Sequence, residues 1–343
     1  MRHRGGFGRK GSVRPFVVVA AIVALAILLP VGASAIDAKT KGTTFAKAVR
    51  KKTVNPALHH DISPPLSEIA PVPMPHKLKK NMEPKAGPPA PEAGGRDPVV
   101  QAQAGTAAAP TPGLNIEGVG QGFTGPQGTY TDDSAPPDPN GAAGPNNFVE
   151  IVNEAFAVFN KSGTPIYGPV ATQTLWSGFG GGCQNNNDGD ATVAYDRLAD
   201  RWIISQFSVS TTPFLQCVAV SRTGDPTGQY ARYSFQYSGF PDYPKLGVWP
   251  DAYYTTYNMF NAAGTSFLGP QACAFDRTKM LAGQAATQQC FQLSSTFGSL
   301  LPSDLDGSRR RPQEARTSCS ASARTSSSCG SSTSTGRRPR TRR

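Results

Sequence analysis

The amino-acid sequence predicts an all-β fold, a partial or incomplete β-propeller made of repeated four-stranded sheets. Two observations carry this prediction. Short strand-like runs separated by Gly, Pro, Asn and Asp clusters fill residues 115–306, where helical periodicity is scarce. Similar segments also recur at intervals of 36, 40 and 40 residues, close to the ~40–45 residues of one propeller blade. A two-sheet β-sandwich of similar size is the alternative.

The clearest hairpin lies in residues 185–207, NNNDGDATVAYDRLADRWIISQF. Apolar runs flanking a polar turn at Arg197–Asp200 predict strands at Thr192–Tyr195 and Trp202–Phe207. The same reasoning predicts strands at Phe148–Asn153, Ala155–Asn160, Thr164–Tyr167, Cys217–Ser221, Tyr230–Tyr237, Ala252–Tyr257 and Ala272–Phe275. The recurring segments each combine an aromatic residue with a polar one at a strand end, and they begin at Phe159, Tyr195, Phe235 and Phe275.

The first 35 residues have the pattern of a secretory signal. Basic residues precede an apolar run, Phe16–Leu29, and Ala33-Ser34-Ala35 supplies the small residues of a cleavage site. The run is too short for a comfortable membrane span, which needs ~20 residues. We therefore expect cleavage after Ala35 and a secreted or cell-surface protein. An uncleaved membrane anchor is the alternative.

Residues 36–114 are rich in Pro, Ala, Lys and Gly. Such a composition buries too little apolar surface to offset the entropy of ordering. We therefore expect a disordered linker between the signal and a domain at 115–306. His59, His60 and Asp61 fall within the linker, and we interpret them as solvated because no further metal-ligand cluster lies nearby in the sequence.

Charge is distributed unevenly along a chain whose formal net charge is +11. Residues 1–114 carry +10 and residues 307–343 carry +9, whereas residues 115–306 carry −8. A nucleic-acid-binding protein needs a basic face on its folded part. The acidic balance of the foldable region therefore argues against a nucleic-acid partner.

The last segment, residues 307–343, is dominated by Arg, Ser and Thr and contains no Val, Ile, Leu, Met, Phe, Tyr or Trp. No apolar core can form from that composition, so we expect it to be disordered. Translation of GC-rich DNA out of frame would explain it, and the last sheet would then lack strands. A natural basic tail is the alternative.

Four cysteines lie in the foldable region, Cys183, Cys217, Cys273 and Cys290. An even number of cysteines in an exported chain favours disulfides. Three connectivities are possible, and proximity in the sequence favours Cys183–Cys217 and Cys273–Cys290. A zinc site is not expected, because this region has neither a C-x-x-C pair nor a histidine.

A calcium site is one hypothesis for the loop before the clearest hairpin. Asn186, Asp188 and Asp190 place hard oxygen ligands on a glycine-containing loop, as Ca²⁺ prefers. The loop is not an EF-hand, and Asx and Gly turn chemistry accounts for the same residues. We therefore expect either calcium here or no cofactor.

Aromatic residues are concentrated between Tyr243 and Tyr257. On the face of a sheet, Tyr243, Trp249 and Tyr253 can stack on a sugar or a peptide, and Asp251 lies in the same stretch. These four residues are the candidate ligand-binding site. Packing inside the protein is the alternative for Trp249 and Tyr253.

Three stretches resemble uncharacterised secreted bacterial proteins thought to be β-propellers. They are PPDPNGAAGPNNFVEIVNEAFAVFNKSG (136–163), the hairpin stretch 185–207, and FPDYPKLGVWPDAYYTTYNMF (240–260). The resemblance covers residues 133–306 and implies an exported propeller without a settled activity, so it implies no catalytic residue. That family usually continues with further apolar strands, which implies that closure of the propeller needs strands beyond Asp306.

Catalysis has little support in the sequence. No histidine lies in residues 115–306, which removes Ser-His-Asp and Cys-His arrangements there. Two-carboxylate glycoside hydrolysis remains open, since Asp188, Asp190, Asp242 and Asp251 lie in predicted loops. We therefore expect a monomeric recognition module that binds an extracellular protein or glycan. A carboxylate-based glycosidase on the same fold and a structural cell-envelope protein are the alternatives.

The mature chain is expected to begin at Ile36, because the small-residue cleavage pattern ends at Ala35. N-terminal sequencing of the exported protein measures this directly. Retention of the residues before Ala35 would show that the apolar run stays attached as a membrane anchor.

Overall fold

The computed structural model describes residues 49–72, 103, 111, 113–131, 135–304, 316–319 and 327–332. The predicted signal lies outside these residues. The strands are β1 (Val49–Pro56), β2 (His59–Ile62), β3 (Thr124–Gly125), β4 (Gly128–Thr129), β5 (Asn140–Ala143), β6 (Asn147–Val152), β7 (Ala155–Asn160), β8 (Pro165–Ala171), β9 (Thr192–Asp196), β10 (Arg201–Ser208), β11 (Phe214–Ser221), β12 (Tyr230–Tyr237), β13 (Phe240–Val248), β14 (Tyr253–Phe260), β15 (Phe267–Phe275), β16 (Thr287–Leu293), β17 (Leu300–Leu301), β18 (Arg316–Cys319) and β19 (Ser327–Ser332).

In the residues that the structure describes, helical structure is limited to short elements. Two 3-10 turns span Leu66–Glu68 and Thr172–Trp176, and two helices are α1 (Gly181–Asn185) and α2 (Arg277–Ala282). None of the helices in the described ranges is long and apolar enough to cross a membrane. The prediction of an all-β fold is confirmed.

Three antiparallel meanders follow one another along the chain. Sheet 1 contains β5–β8, sheet 2 contains β9–β12 and sheet 3 contains β13–β16, each hydrogen-bonded in sequence order. The first strands of successive sheets contact each other, β5 with β9 and β9 with β13. Each sheet is therefore a local unit, and the units meet along their first strands.

The recurring aromatic segments do not occupy equivalent positions in these sheets. Phe159 lies in the third strand of sheet 1 and Tyr195 in the first strand of sheet 2. Phe235 lies in the fourth strand of sheet 2 and Phe275 in the third strand of sheet 3. First strands instead begin 52 and 48 residues apart, at residues 140, 192 and 240. The segments mark strand ends in general, because an aromatic residue followed by a polar turn residue suits any of them.

The sheets pack face to face in the order 1, 2, 3. Strand β10 is buried on both faces: Ile204 packs into the core between sheets 1 and 2, and Ile203 into the core between sheets 2 and 3. One apolar strand serves two cores because successive side chains point to opposite faces. Full burial of a side chain of this size contributes about 1.5–3 kcal/mol.

Residues 49–72, predicted to belong to a disordered linker, are ordered against the sheets, and we call them the strap. β1 pairs antiparallel with β16 as the fifth strand of sheet 3, and β2 pairs antiparallel with β12 as the fifth strand of sheet 2. The linker prediction is wrong for this segment. A polar strand can be held by main-chain hydrogen bonds to an existing sheet edge, which composition does not reveal.

An ion pair between a buried arginine and a partly exposed aspartate fixes the strap to sheet 2. The guanidinium of Arg232, whose side chain is 2 % exposed, donates to both carboxylate oxygens of Asp61 at 2.8 and 2.5 Å. It also donates to the carbonyl oxygens of Leu175 at 3.0 Å and Ser177 at 2.9 Å. Asp61 is therefore not a solvated linker residue, because it neutralises a charge in the protein interior.

Residues 113–131 cover the remaining face of sheet 1. Val119 and Tyr130 pack there against Ala155 and Phe159. The Val119 N–H donates to the Glu150 carboxylate at 2.9 Å. Burial raises the pKa of Glu150 above its usual range, and this hydrogen bond opposes the increase. Sheet 1 is thus buried on both faces. Residues 113–131, which belong to none of the three meanders, cover one of these faces.

Within residues 307–343 the structure describes only residues 316–319 and 327–332, and both segments are strands. β18 pairs antiparallel with β19, and β19 pairs in parallel with β17. Disorder was expected from residue 307 because the composition forbids an apolar core. Strand pairing through main-chain groups needs no such core, so the tail can form strands that its side chains do not predict.

Both predicted disulfides are present. Cys183 of α1 bonds to Cys217 of β11, and Cys273 bonds to Cys290, its direct partner across β15 and β16. They close sequence separations of 34 and 17 residues. Restricting the unfolded chain in this way stabilises the fold by about 3–4 kcal/mol per bond. Two such bonds fit an oxidising environment.

Removal of the Asp61 carboxylate is expected to destabilise the protein. In Asp61→Ala the buried charge of Arg232 loses its partner, and we expect the free energy of unfolding to fall by about 3 kcal/mol. Glu68→Ala is the matched control, because it removes an exposed carboxylate from the same strap and should change stability by less than about 0.5 kcal/mol. Chemical denaturation measures both, and equal losses would contradict the role of the ion pair.

Candidate functional site

The predicted metal loop is held by its own polar side chains. The amide of Asn186 donates to the Ser208 hydroxyl at 2.8 Å. One carboxylate oxygen of Asp188 accepts from the N–H groups of Val209 at 2.7 Å and Ser210 at 2.8 Å, and the other accepts from the Ser210 hydroxyl. Both residues thus fasten the loop to the turn between β10 and β11.

Asp190 points to a different neighbour. Its carboxylate accepts from the N–H of Tyr243 at 3.1 Å, at the start of sheet 3. The side chains of Asn186 and Asp188 are therefore engaged at the end of β10 and the turn after it, and that of Asp190 at sheet 3. In the ranges that the structure describes, no group of three or more His, Cys, Asp or Glu residues is placed to hold a metal ion. Calcium binding at this loop stays a prediction.

An equivalent backbone conformation occurs at or near the start of each of the three sheets. Asp138, Asp190 and Tyr243 have φ angles of 40°, 46° and 56°, a left-handed conformation that is uncommon for residues other than Gly. Each lies two residues before a paired residue of a first strand, at Asn140, Thr192 and, after a bulge, Lys245. The chain therefore enters sheets 1 and 2 through this conformation, whereas in sheet 3 it occurs at the bulge inside β13, after the paired residues Phe240, Pro241 and Asp242.

Side chains link these turns from sheet to sheet, and we call Asp138, Asn153, Asp190 and Tyr243 the strand-start network. Asn153, in the hairpin loop of sheet 1, donates to the Asp138 carboxylate at 3.1 Å. Its amide oxygen accepts from the Asp190 N–H at 2.9 Å, and Asp190 in turn accepts from Tyr243. Asp138 is thus held within its own sheet, whereas Asp190 and Tyr243 are each held by a group of the preceding sheet, which gives Asp190 a structural role.

The four candidate ligand-binding residues do not form one site. Tyr243 lies near the beginning of β13 and is 45 % exposed, with the Lys245 ammonium 3.8 Å from its ring centre. Trp249, Asp251 and Tyr253 lie at the other end of β13, in and after the turn to β14. Five residues of extended strand separate the two groups by about 16 Å.

Trp249 and Tyr253 are packing residues. Trp249 is buried, and its indole N–H donates to the Ser303 carbonyl at 2.7 Å. Tyr253 is fully buried, and its hydroxyl donates to the Asp196 carboxylate at 2.9 Å. Burial, with Asp196 as a further cause, raises the pKa of Tyr253 well above its usual range. The packing alternative therefore describes both side chains.

Asp196 joins sheets 2 and 3 at the centre of a buried cluster. Beside the Tyr253 hydroxyl, the same oxygen accepts from Arg277 at 2.6 Å. The other oxygen accepts from the N–H groups of Leu198 at 3.0 Å and Ala199 at 3.1 Å. The carboxylate is completely buried and uses both oxygens, so it stabilises the turn and the sheet interface.

The carboxylates considered for glycoside hydrolysis are dispersed. Asp190 and Asp242 lie near the starts of their sheets, whereas Asp251 lies beyond the far end of β13 and accepts from the Tyr254 hydroxyl at 2.8 Å. Asp188 is engaged by the turn after β10. The four acids thus do not converge on one opening.

The strap brings two histidines into the folded structure, which the sequence placed in the linker. The His59 ring lies 4.6 Å from Phe179, and the His60 ring stacks on Tyr233 at 5.9 Å, both measured between ring centres. These are aromatic packing contacts at the outer edge of sheet 2. The two histidines therefore lie beside sheet 2, where they help to hold the strap against it.

A groove of about 780 Å³ opens between the outer edges of sheets 2 and 3. Its floor is the face of sheet 3 formed by β1, β16 and β15, and its wall is the end of β12. The crossover between β1 and β2 closes one end. The strap supplies Lys51, Thr53, Asn55, Pro56, Ala57 and Leu58 to the lining.

Amide side chains dominate the polar lining of this groove. Gln271 and Gln292 are direct partners across β15 and β16, and Lys51 lies opposite Gln292 on β1. The Gln292 amide donates to the carbonyls of Gly269 at 3.0 Å and Leu293 at 3.1 Å, and it accepts from Gln271 at 3.3 Å. These contacts hold the two amides in fixed positions on the floor.

Sequence reasoning missed both the groove and the strand-start network. The strap strand VRKKTVNP has only Val49, Thr53 and Val54 as a weak β signal, and its partner strand lies more than 230 residues away. For the network, a usable signal is present: PDPN, DGDAT and PDYPK recur with the turn residues 52 and 53 positions apart. These strings lie inside the three stretches that resemble secreted propeller-like proteins.

Comparison with known proteins gives no identification. No family model, no curated protein and no solved structure matches the chain. The resemblance to secreted propeller-like proteins therefore stays a prediction, and function has to be argued from the geometry.

Asp188 is expected to act as a turn-stabilising residue whether or not calcium is present. Asp188→Ala leaves the Val209 and Ser210 N–H groups without their acceptor and should lower the free energy of unfolding by about 1–3 kcal/mol. Asp251→Ala, which removes an exposed carboxylate with one hydrogen bond, is the control. Thermal unfolding in Ca²⁺ and in a chelator measures both. A loss confined to Ca²⁺ would instead support the metal site.

Proposed function

We propose that this protein is a secreted recognition module of the β-propeller type, and that it binds an extracellular ligand in the groove between sheets 2 and 3. Export is supported by the basic, apolar and small-residue pattern of residues 1–35 and by the two disulfides. The groove is the observation that carries the binding function.

The sheet arrangement supports the propeller architecture. Propeller blades are four-stranded antiparallel sheets arranged around a central channel. Here three such meanders pack face to face, their first strands contact each other, and the strand-start network links positions at or near the starts of these strands. This arrangement also agrees with the resemblance of residues 133–306 to secreted propeller-like proteins.

Binding is favoured over catalysis by the state of the carboxylates. Asp188, Asp190 and Asp196 accept hydrogen bonds from backbone or side-chain groups that hold turns in place. The groove, by contrast, is lined mainly by amide, hydroxyl and apolar groups. Such a mixture of apolar surface and a few fixed polar groups is typical of binding sites, and the volume lies within their ~300–1,000 Å³ range.

A bulky residue in the groove is expected to block binding. Thr53 faces the groove from β1, so Thr53→Trp should fill it and weaken binding at least about tenfold. Val54→Trp is the matched control, because Val54 is the next residue of the same strand and is 56 % exposed on the other face.

Binding of the mature protein and both variants to arrays of immobilised extracellular polysaccharides and secreted proteins measures the effect. The proposal requires that wild type and Val54→Trp bind alike and that Thr53→Trp does not. Equal binding by the two tryptophan variants, or no binding by wild type, would refute a role for the groove.

A further inference from the structure

We infer that the ligand of this groove is a neutral oligosaccharide, an inference that rests on the proposed function. Lys51 is the one charged residue among the described residues that line the groove, and it is exposed at the rim. A site that recognised an acidic or basic polymer would present several charges of opposite sign. The lining instead suits a ligand without net charge.

The fixed amides match the hydroxyl groups of a sugar. A glutamine amide carries two N–H donors and one carbonyl acceptor in one plane, and a sugar hydroxyl both donates and accepts. Gln292 uses both of its N–H donors on backbone carbonyls and accepts from Gln271, so it orients Gln271, which keeps one N–H donor for a ligand. Since these side chains are already ordered, binding costs less conformational entropy than it would with mobile amides.

Apolar groups lie where the carbon faces of sugar rings would contact the protein. Leu58 and Leu268 line the groove and are 58 % and 47 % exposed, so they present apolar surface to a ligand. Tyr237 and Met259 contribute buried surface deeper in the groove. Alternating polar and apolar surface of this kind complements a ring that has hydroxyls at its edge and C–H groups on its faces.

An extended peptide fits the groove less well. Extended peptides bind by adding a strand to an open sheet edge, where main-chain groups are unpaired. The floor of this groove is the face of sheet 3, which presents side chains from β1, β16 and β15 rather than main-chain edges. The floor therefore offers a peptide few of the contacts that usually give it affinity.

The experiment compares ligand classes on one array. The mature protein is tested against short neutral oligosaccharides, uronic-acid-containing oligosaccharides and extended peptides, and the best binder is then titrated by calorimetry. We expect neutral oligosaccharides to bind, and Gln271→Ala to weaken binding about tenfold, which is 1.4 kcal/mol. Gln289→Ala is the matched control, because Gln289 lies on β16 but on the opposite face of the strand.

A second variant controls for a loss of binding that is caused by misfolding. Gln236 is exposed at the groove wall, so Gln236→Ala should weaken the same binding without changing the melting temperature. Peptide or acidic-sugar binding that Thr53→Trp abolishes would overturn the neutral-sugar inference and leave the proposed function intact. The absence of any binding that is sensitive to Thr53→Trp would overturn both.

Discussion

Pairing of the strap with the last strands of sheets 2 and 3 is the constraint on which the rest of the structure depends. It covers two sheet edges whose main-chain groups would otherwise be open to other chains. It also brings Asp61 to the buried guanidinium of Arg232 and places Thr53 and Asn55 beside the glutamines of the groove. The strap thus protects two sheet edges, neutralises a buried charge and forms part of the candidate binding surface.

The parts of the fold that could be predicted are those specified by neighbouring residues. Strands β7 and β12 have the predicted bounds, and the hairpin of β9 and β10 pairs as expected across the Arg197–Asp200 turn. In these segments apolar alternation and turn residues act over a few positions. The two disulfides were also found, because each joins cysteines that are closer in sequence to each other than to the other pair.

The parts that could not be predicted depend on distant residues. β1 and β2 are too polar to indicate strands and are held by partners near the far end of the chain. β13 contains two prolines and a bulge, which weaken its local strand signal. Trp249 and Tyr253 resemble exposed binding residues in the sequence because their hydrogen-bond partners are distant along the chain. In the structure both are buried, and they donate to Ser303 and Asp196.

The long sequence separation within the strap contacts sets an order for folding. Asp61 and Arg232 are 171 residues apart, and β16 is synthesised long after β1. Each meander is local and can form as soon as its own strands exist, whereas closing a loop of this length carries an entropy cost that only completed sheet edges repay. We therefore expect the strap to dock last, so that an intact groove would report that both sheets have already folded.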